Sequence, residues 1–188
     1  MKKLILIRHG ESESNVDKTI LNSKSNCNVE LTKNGRIQAD EAGANILKYS
    51  QYDKSAHFII SPYLRTRQTY KGLTTHIKPL STVEDIRLRE IDVGNYITDF
   101  ESIRRERSSY SKMFYRFPNG ESAADVVLRL QSWMNDKPFE GYPDDCTIIV
   151  VTHAMTMRCF QFIKENLTVE QFEDLPKPKN CGTLCYAI

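Results

Sequence analysis

Short apolar runs stand out along the chain: Leu4-Ile5-Leu6-Ile7, Phe58-Ile59-Ile60, Cys146-Thr147-Ile148-Ile149-Val150-Val151-Thr152 and Leu184-Cys185-Tyr186-Ala187-Ile188. Unbroken apolar runs of this length predict strands buried on both faces, the pattern of a parallel sheet. The run at 146–152 is the richest in β-branched residues and is expected at the centre of the sheet. The run at 184–188 is expected to close it as an edge strand. A further short strand is expected around Ile77, ended by Pro79.

Between these runs the period lengthens to that of helices. Thr32 reads as an N-cap, and Ala39, Ala42, Ile46 and Tyr49 follow as a narrow apolar stripe that should stop near Ser50. The small residues on that stripe predict close packing on the sheet. Pro62 suits the first turn of a helix through Tyr70. Ser122 with Asp125, and Thr168 with Gln171, have the spacing of helix starts. The first opens the apolar face Ala123, Val126, Val127, Leu130, Trp133 and Met134. Met155, Cys159, Phe162 and Ile163 predict an amphipathic helix directly after His153. Residues 99–117 are charged and aromatic and read as a partly exposed helix. Residues 13–31 are polar and read as a long loop bordering the site. Strands alternating with helices predict an α/β fold: a three-layer arrangement with a mostly parallel central sheet flanked by helices. The 188 residues are read as one domain, 1–188.

Composition narrows the picture only a little. A chain that is 40% hydrophobic and 27% charged, with a net charge of +2, is ordinary for a globular protein. It offers no charge excess that would point to nucleic acid or a membrane surface. Arg104, Arg105, Arg107, Lys112 and Arg116 lie among aromatic residues. One such segment in a nearly neutral chain is a weak RNA signal, and a basic lid over an anionic substrate or a solvated face competes with it. No apolar stretch approaches the ~20 residues of a membrane span, and no leader-like segment precedes the first motif, so a cytoplasmic location is expected. Five cysteines without a CxxC pair predict reduced thiols. Cys181 and Cys185 read as two positions on the same face of the terminal strand, not as metal ligands.

The chemistry gathers where strands end. The first run passes straight into Arg8-His9-Gly10, the second is followed by Ser61 and then Arg65 and Arg67, and the third ends at His153. In open parallel sheets the carboxyl ends of the strands share one rim, where ligands bind. Arg65 and Arg67 are two apart on a helix and point to different faces, so at most one belongs to a shared pocket. Asn15 is either a turn residue or a contact to a bound oxyanion. Glu90 is a lone carboxylate on a loop above the rim. Two imidazoles, two guanidinium groups and one carboxylate suit a phosphomonoester. The arginine fork grips two phosphate oxygens, and a neutral imidazole attacks phosphorus to form a covalent intermediate. Nearby cations depress the pKa of His9. A unit charge at ~4 Å is worth on the order of 4 kcal/mol at an effective dielectric of about 20. Glu90 would protonate the leaving oxygen and then activate water. The arginines neutralise the developing charge, so no metal and no other cofactor are implied.

These residues also carry a resemblance. Arg8-His9-Gly10-Glu11-Ser12, Leu31-Thr32 through Gly35 with Gln38-Ala39, Ser61-Pro62-Tyr63-Leu64-Arg65-Thr66-Arg67-Gln68-Thr69, Leu88-Arg89-Glu90 with Gly94, Pro118-Asn119-Gly120-Glu121-Ser122 and Val151-Thr152-His153 resemble, in order, the motifs of the histidine phosphatase superfamily. Gly94-Asn95-Tyr96, the stretch 114–126 and Thr168-Val169-Glu170-Gln171-Phe172-Glu173 are similar to its phosphoglycerate-mutase-like branch of plants, fungi and bacteria. The resemblance implies that Arg8, Asn15, Arg65 and His153 bind phosphate, with the backbone at Ala154 beside them. It also implies that His9 is the nucleophile and Glu90 the proton donor. Ala154 stands where the family usually has glycine, and its methyl either tightens the pocket or shifts a backbone donor. Glu30 stands where many members have proline. The implied activity is metal-independent hydrolysis of a phosphorylated small molecule. Phosphoglycerate mutase is the first alternative. A non-catalytic phosphate-binding scaffold is the second.

Overall fold

The four apolar runs become strands β1 (Lys3–Arg8), β2 (Ser55–Ile60), β4 (Thr147–Thr152) and β5 (Thr183–Ala187) of a five-stranded sheet, and the strand expected around Ile77 starts one residue later as β3 (Lys78–Glu84). The computed structural model describes residues 1–49, 54–94 and 100–188. The strand order is β3-β2-β4-β1-β5. The first four strands in that order run parallel, and β5 adds antiparallel to β1. As the β-branched pattern predicts, β4 is central, with all six residues buried. The register sets Ile7 beside Val151 and Arg8 beside Thr152, and Ile60 beside Val151. The carboxyl ends of β1, β2 and β4 therefore lie level, and a ligand can meet all three.

The helices, in chain order, are α1 (Glu13–Val16), α2 (Lys33–Tyr49), α3 (Leu64–Leu73), α4 (Phe100–Tyr110), α5 (Ala123–Asn135), α6 (Ala154–Lys164) and α7 (Val169–Asp174). Alternation along the strands divides the core in two. Leu4, Leu6, Ile148 and Val150 meet Val126, Leu130 and Trp133 of α5, Met157 and Phe160 of α6 and Phe172 of α7. Ile5, Ile7, Phe58, Ile60, Ile149 and Val151 face the other way, toward Leu73 and Ile77 with Ala42 and Ile46 of α2. Each such aliphatic or aromatic side chain contributes about 1.5–3 kcal/mol by leaving water. The tight approach that the small residues of α2 allow is to α3 and not to the sheet: a Cβ on Gly72 of α3 would stand 2.6 Å from the Cβ of Ala39. The three proposed caps hold. Thr32 Oγ1 accepts from Gly35 N at 3.0 Å, and Ser122 and Thr168 form capping boxes with Asp125 and Gln171. All five cysteines are free thiols.

The structure departs from the sequence expectations at five further places. Residues 13–31 are not an open loop: α1 is followed by 3₁₀ turns at Lys18–Asn22 and Asn26–Asn28, because side-chain bonds such as Glu13 to Glu30 N bring the segment's two ends together. Pro62 precedes the helix, with Tyr63 as N-cap. Pro79 does not end a strand but lies inside β3; an edge strand pairs on one side only, so the missing N–H is tolerated there. Helix α4 stops at Tyr110, and the tail beyond it turns Met113, Tyr115 and Phe117 into the core. Cys181 lies ahead of β5 in a turn at φ 55°, so it does not share a strand face with Cys185. The expected helix stop at Ser50 and residues Asn95 and Tyr96 of the proposed motif lie outside the described residues.

Candidate active site

Three of the predicted site residues sit on two adjacent strand ends. Arg8 closes β1, His9 follows it, and His153 follows β4, where its backbone carbonyl accepts the Met157 N–H of α6 at 2.9 Å. His9 N also donates to Thr152 O at 2.9 Å, which locks the two ends together. The imidazole centroids of His9 and His153 are 5.2 Å apart, edge to face. Gly10 turns the chain away against α2: a Cβ there would collide with the carbonyl oxygen of Gly35. Only glycine allows that backbone approach.

The ring of His9 is oriented by its own neighbour. Nδ1 lies 2.7 Å from Gly10 O. A carbonyl only accepts, so Nδ1 carries the proton and Nε2 keeps its lone pair. Burial, then the cations of Arg65 and Arg8, hold His9 well below the usual imidazole range. His153 is depressed in the same way, by burial first and Arg65 next. Its Nε2 lies 2.8 Å from Ser61 Oγ, while its Nδ1 is buried without a partner. Both rings are therefore neutral when folded, yet they bind protons when unfolded below about pH 6.5. Stability is expected to be full above that pH. It should fall as pH drops through the window toward the depressed folded values, by up to about 1.4 kcal/mol per pH unit for each ring. Urea midpoints between pH 7.5 and 5.5 check this. The slope in His153→Asn protein should be shallower than in the wild type, and equal slopes would remove the assignment.

Arg8 and Arg65 are 4% and 3% exposed. Neither bonds to a carboxylate among the described residues. Arg8 Nη1 donates to Pro178 O at 2.8 Å and Arg65 Nη1 to Asn26 O at 2.6 Å, while both Nε atoms are buried and unpartnered. Burial lowers both, Arg65 to about 10, which leaves both charged at neutral pH. Two buried guanidinium charges held only by carbonyls are costly, by several kcal/mol each, until an anion joins them. Arg67, the alternative to Arg65, is exposed and forms a two-bond ion pair with Glu84.

Glu90 is held at the start of α6. Its Oε1 accepts from Ile91 N at 3.0 Å and Met155 N at 3.2 Å. The backbone leading to it is fixed from several sides. Thr152 Oγ1 donates to Leu88 O and Thr156 Oγ1 to Arg89 O, each at 2.7 Å. Arg129 donates to the carbonyls of Arg87 and Arg89. Glu121, from the Pro118-Asn119-Gly120-Glu121-Ser122 turn, pairs with both Arg89 and Arg129. Asn15 Oδ1 accepts from Ser12 N at 3.1 Å and Asn180 Nδ2 at 3.0 Å, which leaves its N–H donors for the cavity.

Arg8, His9, Asn15, Arg65, Glu90 and Ala154 line one cavity of about 280 Å³. His153, predicted at the same site, is fully buried beside the His9 ring and is not among the residues that line the cavity. The basic segment contributes differently from the sequence expectation. Arg104 is exposed beside Glu101, and Arg116 pairs with Asp125. It is Arg107 that reaches the cavity, together with Arg158, Lys18 and Lys177. Arg107 belongs to the basic segment that the sequence singled out; the other three did not stand out. The only signal for Lys177 was its place in a proline-broken basic tail, and Arg158 was hidden in an amphipathic helix. Among the described residues no helix is long and apolar enough to cross a membrane.

Known proteins resemble this chain in sequence and in fold. The chain is 32% identical over 197 residues to phosphoglycerate mutase-like protein AT74 of Arabidopsis thaliana, covering 95% of this chain and 62% of the relative. It therefore spans less than two thirds of that protein's length. It is 27% identical over 277 residues to the broad-range acid phosphatase DET1 of Saccharomyces cerevisiae, covering 94% of this chain and 82% of the relative. A mycobacterial glucosyl-3-phosphoglycerate phosphatase, solved as a complex with VO3, shares the fold at a TM-score of 0.80 and 21% identity, over 98% of this chain and 92% of the other. The family model of the histidine phosphatase superfamily (branch 1) matches residues 4–186, and with His9, Arg8, Arg65 and Glu90 in one cavity, the chain belongs to that superfamily.

Proposed function

We propose that the protein hydrolyses phosphomonoesters through a phosphohistidine formed on His9. The observation that carries this reading is the neutral His9 ring, its Nδ1 committed to Gly10 O, set among two buried arginines whose Nε atoms have no partner. The phosphate dianion binds between Arg8 and Arg65 and takes up those donors, with Asn15 adding an N–H. With Ser61 Oγ taken as the donor to His153 Nε2, the ring proton of His153 stands on its buried, unpartnered Nδ1, beside His9, as a further donor to the phosphoryl oxygens. The lone pair of His9 Nε2 attacks phosphorus, the P–O ester bond breaks, and the leaving oxygen takes a proton from the Glu90 carboxyl. Water then loses a proton to the Glu90 carboxylate and attacks phosphorus. The P–N bond breaks, inorganic phosphate leaves, and His9 is neutral again. The name of the yeast relative, a broad-range acid phosphatase, supports hydrolysis.

The test is a panel of labelled phosphomonoesters in the presence of EDTA, quenched in alkaline detergent because a phosphoramidate is acid-labile and base-stable. The expected result is free phosphate release with transient label on the protein. Label returned to a second position of the substrate, at rates far above phosphate release, would replace hydrolysis with a mutase reaction. No turnover and no label on any substrate would leave a phosphate-binding scaffold.

A further inference from the structure

Residues 178–182, just ahead of β5, bond to three positions of the pocket. Arg8 Nη1 donates to Pro178 O at 2.8 Å. The main chain of Arg8 pairs in both directions, its N–H with Gly182 O at 3.0 Å and its carbonyl with Cys181 N at 3.1 Å. Asn180 adds its side chain: Nδ2 donates to His9 O at 3.3 Å and to Asn15 Oδ1 at 3.0 Å.

These bonds have a fixed polarity. A carbonyl only accepts, so the Asn180 atom beside His9 O is the NH2 group, and its two hydrogens are spent on His9 O and Asn15 Oδ1. Ser12 N–H, which only donates, meets the same Asn15 oxygen at 3.1 Å. Asn15 cannot turn its amide over without setting its own NH2 against two donors. That NH2 is left for the cavity, which Asn15 lines with Arg8, His9 and Arg65. The helix that carries Asn15, α1, is only four residues long, and one helical turn has little stiffness of its own. Ser12 restrains Asn15 from within that turn. Asn180 restrains it from a segment 165 positions away.

We propose that Asn180 is a positioning residue of the phosphate site: it acts through Asn15, holding that amide so that its N–H meets a phosphoryl oxygen. This rests on the reading that phosphate occupies the cavity, and adds how one of its donors is set before the ligand arrives. A donor already in place costs no reorganisation when charge develops on the phosphoryl group. The competing account is structural, with Asn180 only anchoring 178–182 against β1. It predicts a lower melting temperature and an effect on anion affinity that is the same whether or not Asn15 is present.

The experiment is a double-mutant cycle over the wild type, Asn15→Ala, Asn180→Ala and the double variant. It is read by titration calorimetry with orthovanadate, a mimic of the phosphoryl transition state, and by kcat/KM on para-nitrophenyl phosphate. Asn180→Ala is expected to weaken vanadate binding about tenfold, with a parallel fall in kcat/KM. In the Asn15→Ala background the same substitution is expected to change vanadate binding less than about twofold. The bond to His9 O is lost in both backgrounds and cancels in the comparison. Equal losses in the two backgrounds, or an unchanged vanadate affinity in Asn180→Ala, overturn the proposal, as does a wild type that binds no vanadate. Thermal melting establishes which variants fold. If Asn180→Ala does not, Asn180→Asp, of the same size but without a hydrogen to donate, takes its place, and the same difference between backgrounds is expected. Vanadate binding coupled as expected, in a wild type that releases phosphate from no substrate, overturns the phosphatase reading and leaves the role of Asn180 standing.

Discussion

His9→Ala protein is expected to lose phosphatase turnover by at least ~10⁴-fold and to trap no label from phosphorylated substrate. Binding of inorganic phosphate or vanadate should survive, because Arg8 and Arg65 are tethered to Pro178 O and Asn26 O and not to the imidazole. The split between lost chemistry and retained binding is the informative part. A nucleophile contributes the covalent path, whereas the guanidinium groups contribute the attraction for the dianion. His9→Gly should regain a fraction of activity with added imidazole, since deleting the ring leaves a space of its own shape at a glycine-bounded turn. Label still captured by His9→Ala would place the phosphoryl group on another residue and remove the mechanism.

Glu90→Gln is expected to lower kcat by roughly 10²–10⁴, and the loss should depend on the leaving group. The amide oxygen of glutamine can still accept from Ile91 N and Met155 N, the two donors that Glu90 Oε1 now engages, so the backbone stays in place and only proton transfer is lost. Alkyl phosphates, whose alkoxide leaves poorly, need the proton in the first step and should suffer most. Para-nitrophenyl phosphate needs it little, so phosphorylation of His9 should proceed while hydrolysis of the P–N bond, which needs Glu90 as base, stalls. Rapid-mixing traces should then show a burst of nitrophenolate equal to the enzyme concentration, followed by slow turnover. A loss under tenfold on alkyl phosphates, with no burst, would show that Glu90 does not move the proton.

Much of the fold was legible in the order of residues. Strands β1, β2 and β4 appear as unbroken apolar runs because both their faces are covered. The starts at Thr32, Ser122 and Thr168 appear because a cap bonds to a backbone N–H only a few residues away. Pro79 misled because proline's cost depends on whether its strand has one neighbour or two, and β3 has one. The segment 13–31 misled because its short helical turns are held by partners beyond the segment's own periodicity, such as Asn180 on Asn15.

The sequence by itself determined the alternation of strands and helices, the central strand, and which histidines stand at strand ends, because those follow from hydrophobic period and from bonds a few residues long. Only the tertiary structure decided which cations face the cavity. Arg67 is claimed by Glu84 and Arg116 by Asp125, whereas Arg65, Arg107 and Arg158 have carbonyl partners and reach the cavity. An arginine reads the same in any of these positions. What separates a surface ion pair from a guanidinium left facing the cavity is the neighbour folding brings to it, in the case of Arg8 the Pro178 carbonyl, 170 positions away along the chain.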